Sequence, residues 1–217
     1  EQVEIIISDF DPNMTNTSDP KFHKYSKTNY LQGSENIGDQ SIIDNNFLEE
    51  PAPTFGLWNT DTPVTSGDES YAFPLGTVTH YIATGANGEK IIVNVTKDDH
   101  FLHPGIVVRE LHYDNSGGAY IDSSGVGTGV FGGLNEDLSN PLWQNNADRI
   151  GRESLYEDVN GTKPPASSSP VPSGHIPSDF IAPEGAPTEM PGWIPFKDPI
   201  SPFMDGLDGL WEIGRAS

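Results

Sequence analysis

The sequence predicts a mainly β protein, an antiparallel meander or a small sandwich or barrel built on one. A long irregular N-terminal arm and an extended proline-rich C-terminal tail accompany it. Three observations carry this prediction. Residues 76–133 hold the densest β-branched run of the chain, and its apolar positions alternate with polar ones, the two-residue period of a half-buried strand. The 23 glycines and 19 prolines among 217 residues commit much of the chain to turns and loops. Hydrophobic residues make up only 34%, so the core they build is compact.

Within that block each element has its own signal. Val78, His80 and Ile82 fall on one face of a first strand, and Thr77, Thr79 and Tyr81 on the other. Gly85-Ala86-Asn87-Gly88 then supplies an Asn-Gly hairpin turn between two alternating runs. The return strand, Glu89 to Thr96, places Ile91, Val93 and Val95 together. After a turn at Lys97-Asp98-Asp99 and the run His100 to Gly105, a third strand from Ile106 to Tyr113 puts Val107, Arg109, Leu111 and Tyr113 on one face. Asp114-Asn115-Ser116-Gly117-Gly118 turns the chain into a fourth, Ala119 to Asp122.

The flanks divide the chain into three regions. Residues 1–53 read as an irregular arm that opens on a short strand, Val3 to Ile7, and continues polar and without a periodic apolar face. Ser41 to Leu48 supplies an edge strand or a helical turn, and Trp58 a plug for the core. Residues 54–159 form the β-rich core domain, with one helix near 145–159 whose rough apolar stripe is Ile150, Leu155 and Val159. Asp148, Arg149, Arg152 and Glu153 then sit at helical spacing as surface pairs. Residues 160–217 carry most of the nineteen prolines, which exclude helix and internal strand, and their aromatic residues predict partial docking on the core.

A net charge of −21 excludes classes of partner. Phosphate backbones and anionic membranes are bound through Lys and Arg patches, and this chain has eleven basic residues, scattered singly. Nucleic acid is therefore not an expected partner, whereas cations, neutral carbohydrate and basic proteins remain open. There is no cysteine, so disulfide and thiolate chemistry is unavailable. Cysteine-free composition suits a bacterial exported protein. No apolar stretch reaches the length of a membrane span. The opening EQVEIIISDF has neither the basic nor the long apolar region of an export signal, and reads as a processed piece of a longer precursor. Of the four Asn-x-Ser/Thr triplets, those at Asn13, Asn16 and Asn160 fall in predicted surface loops, and the fourth, Asn94, in a strand.

Four groups of residues could carry chemistry. His100, His103 and His112 form the first: H-x-x-H brings two imidazoles near one turn, either as polar surface groups or as ligands of a metal beside Asp98 and Asp99. Arg109 is the second. An arginine in an apolar strand must reach solvent, pair with a carboxylate or face a cleft, where it would act as an anion clamp beside His103. The third is the glycine-rich run 125–133, in which Gly127, Thr128 and Gly129 would let backbone amides approach a ligand. It lacks the Lys-Ser/Thr of a phosphate loop and the βαβ context of a dinucleotide site. Last, Asp9, Asp11 and Asn13 have the D-x-D-x-N opening of a calcium loop, after which Met14 and Pro20 depart from that pattern. Calcium is thus the one cofactor the sequence suggests, against an Asx-rich turn as the plainer account.

The segments His100-Phe101-Leu102-His103-Pro104-Gly105-Ile106-Val107-Val108-Arg109 and Gly125-Val126-Gly127-Thr128-Gly129, with Leu142 to Arg149 beyond them, resemble an uncharacterised domain of secreted bacterial proteins and multidomain toxins. The resemblance covers about a third of the chain and implies an extracellular setting without naming a reaction. The resulting expectation is a secreted, toxin-like effector domain, hydrolytic if His100 or His103 acts as base and Arg109 as electrophilic stabiliser. The other expectation is a non-enzymatic extracellular adhesion or assembly module, calcium-stabilised if the acidic loops bind metal. Its arm and tail would contact a protein partner or a neighbouring subunit.

Overall fold

The structure, a computed structural model, describes residues 11–53, 62–72, 75–100, 102–129 and 136–164, without the side chains of Pro12 and of 136–141. Its centre is a six-stranded antiparallel sheet. The strands are β1 (His23–Tyr30), β2 (Glu69–Ala72), β3 (Gly76–Thr84), β4 (Lys90–Thr96), β5 (Gly105–Tyr113) and β6 (Ala119–Gly127), in the spatial order β1-β6-β5-β4-β3-β2. Two helices, α1 (Gln40–Glu49) and α2 (Glu136–Asn160), pack on one face.

The meander β3 to β6 stands where alternation and turn residues predict it, and the fold is mainly β as expected. Gly88 at φ 94° gives the first hairpin its left-handed residue, and Glu89 closes that turn by accepting from Asn87. At the β5–β6 turn Gly117 has φ 86° and the Asp114 carboxylate accepts from the backbone of Ser116 and Gly118.

The region read as an irregular arm is more regular than its composition suggests. Residues 23–30 add an eight-residue edge pairing to β6, from His23↔Gly127 to Tyr30↔Tyr120. Residues 40–49 are helical, capped by Asp39, whose side chain accepts from Ser41 N–H at 2.9 Å. The apolar periodicity here is short because the buried apolar residues of α1 are Ile43 and Phe47, one turn apart, while its other buried positions, Asn46 and Glu49, are polar. Helix α2 starts nine residues earlier than the predicted 145. The Val3 to Ile7 strand, Trp58 and the tail beyond residue 164 lie outside the described residues.

The two larger of three apolar clusters among the described residues fill the two faces. On the helix side Ile92, Leu111 and Ile121 of the sheet meet Ile43 and Phe47 of α1 and Ala147 and Ile150 of α2. On the opposite face Met14, from the 3-10 turn Pro12–Thr15, packs on Tyr81, Val93, Val95 and Val108. Gly151 has a packing reason, because a Cβ there would stand 2.7 Å from the Gln32 carbonyl oxygen, where α2 crosses the end of β1.

Candidate functional site

Arg109 pairs in register with Ile92 on one side and Ser123 on the other, and its side chain points to the helix face, 1% exposed. The guanidinium lies between the rings of Phe47 and Trp143, 5.0 Å from each centroid. Its Nη1 donates to the Glu50 carbonyl at 2.6 Å and its Nη2 to Asn146 Oδ1 at 2.5 Å. Burial lowers its pKa to about 9, so it remains protonated at neutral pH. The Glu50 carboxylate is taken by Arg149, which the sequence placed in surface pairs and which is buried instead. The expected clamp beside His103 therefore does not form. Arg109 is walled in by α1 and α2, and it stitches the end of α1 and the middle of α2 to the sheet.

The three histidines separate. His103 Nδ1 donates to the Thr96 carbonyl at 2.9 Å, and its Nε2 lies 3.2 Å from Asp98 at an exposed turn. Since Arg109 pairs with Ile92 and not with Thr96, four residues on, the two side chains stand about 13 Å apart along the strands. His112, odd-even opposite to Arg109 on β5, points to the other face of the sheet. His100 is 6% exposed, and its Nδ1 accepts from Leu102 N–H at 3.1 Å. Burial, with a smaller opposing effect from Asp99, lowers its pKa to about 4, so the ring is neutral and carries its proton on Nε2. His80, not singled out in the sequence, is also buried and neutral, held between Asn94 Oδ1 at 2.7 Å and Ser70 Oγ at 2.8 Å. The one available signal for it was its place among apolar residues on a strand face.

On the helix face, where the strands run out past Trp143, lies an apolar pocket of about 90 Å³, lined among others by Tyr25, Ala52, Val78, Asn94, His100 and Trp143. Asn94, inside a glycosylation triplet, is buried here and donates to the Pro51 carbonyl at 2.8 Å. Of the 125–133 run, the described glycines Gly125, Gly127 and Gly129 contribute to this region as packing. Gly125 and Gly127 are strand residues, paired with Tyr25 and His23. A Cβ on Gly125 would enter the Tyr25 ring, and one on Gly127 would lie 2.8 Å from Pro104 O. Gly129 is pressed on the Leu102 backbone, and the Thr128 hydroxyl donates to Asn13 O at 3.2 Å, tying the arm to β6. Backbone amides that are covered in this way are not open to a ligand.

Asp11 has a local role: its carboxylate accepts from Asn13 N–H at 2.8 Å and caps the turn Pro12–Thr15. Asp9 lies outside the described residues. Among the described residues no group of three or more His, Cys, Asp or Glu is arranged to hold a metal ion.

The polar face that receives His112 has its own order. Cross-strand register places Tyr30, Tyr120 and His112 in one row over β1, β6 and β5. Thr28, Asp122 and Glu110 form the next row, and Ser26, Ser124 and Val108 the third. Tyr120 stacks on His112 at 5.1 Å and meets Tyr30 at 5.6 Å. Thr28 donates to Asp122 at 2.5 Å, and Ser26 and Ser124 share a hydrogen bond. His112 Nε2 stands 3.4 Å from Glu110 and 3.6 Å from Asp122 and hydrogen-bonds neither. Met14 and its cluster cover the β3–β4–β5 part of this face, Val108 at the end of the third row included, while the other residues of these rows stay exposed or half-buried.

No protein-family model matches the chain, and no curated protein matches it either. Among the described residues no helix is long and apolar enough to cross a membrane.

Proposed function

We propose that the chain is a secreted bacterial interaction module, non-enzymatic, serving adhesion or assembly through the open face of its sheet. The observation that carries this reading is the three-strand patch of aromatic, carboxylate and hydroxyl rows around Tyr30, Tyr120 and Asp122. Aromatic rings with a polar rim are the side chains that protein surfaces use for recognition. The catalytic expectation loses its main member, because both Nη groups of Arg109 already have partners within the helix layer. Cysteine-free, strongly acidic composition supports the extracellular setting.

A hydrolytic effector is the second reading, and one observation favours it: His100 lines an apolar pocket with its Nδ1 occupied by Leu102 N–H and a neutral ring whose Nε2–H is suited to donate a hydrogen bond. One experiment addresses both. The labelled full chain is tested for retention on cell surfaces and for turnover of ester, phosphoester and peptide substrates. Retention lost in Tyr30→Ala/Tyr120→Ala and kept in His100→Ala supports the interaction module. Turnover abolished by His100→Ala, with retention indifferent to Tyr30, would overturn it.

A further inference from the structure

We infer that the open face of β1, β6 and β5 is a docking site for arginine side chains of a basic protein partner. The inference rests on reading the chain as an interaction module and names the partner's chemistry. Tyr30 is 64% exposed and sits at the sheet edge, with Tyr120 and His112 stacked behind it in register, so its ring is held upright by neighbours on one side and open on the other. An exposed, braced tyrosine face attracts a planar cation.

One row away stand the carboxylates. The side chains of Glu110 and Asp122 are 36% and 41% exposed, and Glu89, next to the β4 residue opposite Leu111, lies close enough to feel His112. Thr28 engages one oxygen of Asp122 and orients the carboxylate, leaving Oδ2 on the side of His112. No Lys or Arg pairs with Glu110 or Asp122 among the described residues, and the cation on this face, Lys24, lies two rows away. A guanidinium laid over Tyr30 could present its N–H fork to this carboxylate row, a geometry that the point charge of lysine does not reproduce. The charge of −21 adds long-range attraction for a basic partner and repels acidic ones.

The test uses the full 217-residue chain and a fluorescein-labelled glycine-serine peptide bearing three arginines, with lysine and citrulline counterparts and a neutral oligosaccharide as competitors. The arginine peptide should bind more tightly than the lysine peptide, and raised salt should weaken it. Tyr30→Ala should weaken binding about fivefold, the size of an exposed cation–π contact. Glu110→Gln/Asp122→Asn should weaken it about tenfold or more, as charge-assisted hydrogen bonds are lost. The charge-matched control Glu35→Gln/Asp98→Asn, placed off this face, should leave it unchanged. Equal losses in the control and face variants would show attraction to bulk charge alone and overturn the site. Competition by the oligosaccharide at a Tyr30-dependent surface would overturn the partner class while the interaction reading stands. Absence of peptide binding, together with cell-surface retention indifferent to Tyr30, would remove both.

Discussion

His100 gives the fold an acid sensitivity whose size follows from its burial. The ring titrates near 6.5 in the unfolded chain and at about 4 in the fold, where burial disfavours the charged form. Between those values the unfolded state binds the extra proton, so stability rises with pH across this window and falls as pH drops through it. At about 1.4 kcal/mol per pH unit, the loss from neutral pH to about pH 4.5 is about 2–3 kcal/mol. His80 and His23, also lowered by burial, act in the same direction, so the whole protein should lose more than His100 alone accounts for. Urea unfolding followed by tryptophan fluorescence at several pH values reads this directly. With a slope of about 2 kcal/mol per M, the His100 share moves the midpoint by about 1 M. His100→Gln keeps an acceptor for Leu102 N–H and removes the titration, so its midpoint should move less with pH by that amount. Equal pH dependence in the variant and the parent would refute the assignment of a buried, neutral His100.

Three further outcomes follow from the packing. Arg109→Ala leaves Asn146 Oδ1 without its donor and the Glu50 carbonyl with only the long bond from Asn146, opens a gap between Phe47 and Trp143, and should cost about 3 kcal/mol or more by chemical denaturation. Binding at the Tyr30 face should persist wherever that variant is folded. Gly125→Ala should cost about 1–3 kcal/mol because its methyl meets the Tyr25 ring. In a Tyr25→Ala background the same substitution should cost little, and strict additivity in the double-mutant cycle would count against the clash. Thr128→Val should cost about 1 kcal/mol and speed amide exchange in the turn Pro12–Thr15, since the arm loses its bond from Thr128 to Asn13 O.

Local signals reached the meander and its turns, because alternation, Asn87-Gly88 and Gly117-Gly118 act over a few residues. They missed β1, whose sequence HKYSKTNY is polar on both faces: one side is solvent-exposed and the other packs its tyrosine and asparagine against α2 and the glycines of β6. The glycines 125–129 illustrate the same limit from the other side. A glycine that makes room for a facing ring and one that cradles a ligand are identical in sequence, and the strand opposite decides which it is.

The sequence by itself determined that the protein is mainly β, that Val107, Arg109, Leu111 and Tyr113 share a face, and that its charge disfavours polyanions. Tertiary structure alone decided what lay across from each face. It set Phe47 and Trp143 on either side of Arg109, drew Arg149 inward to Glu50, and put His112 on the opposite side of the sheet from Arg109. Strand period fixes which residues point together, but burial and partnership come from elements tens of residues away, whose placement no local pattern records.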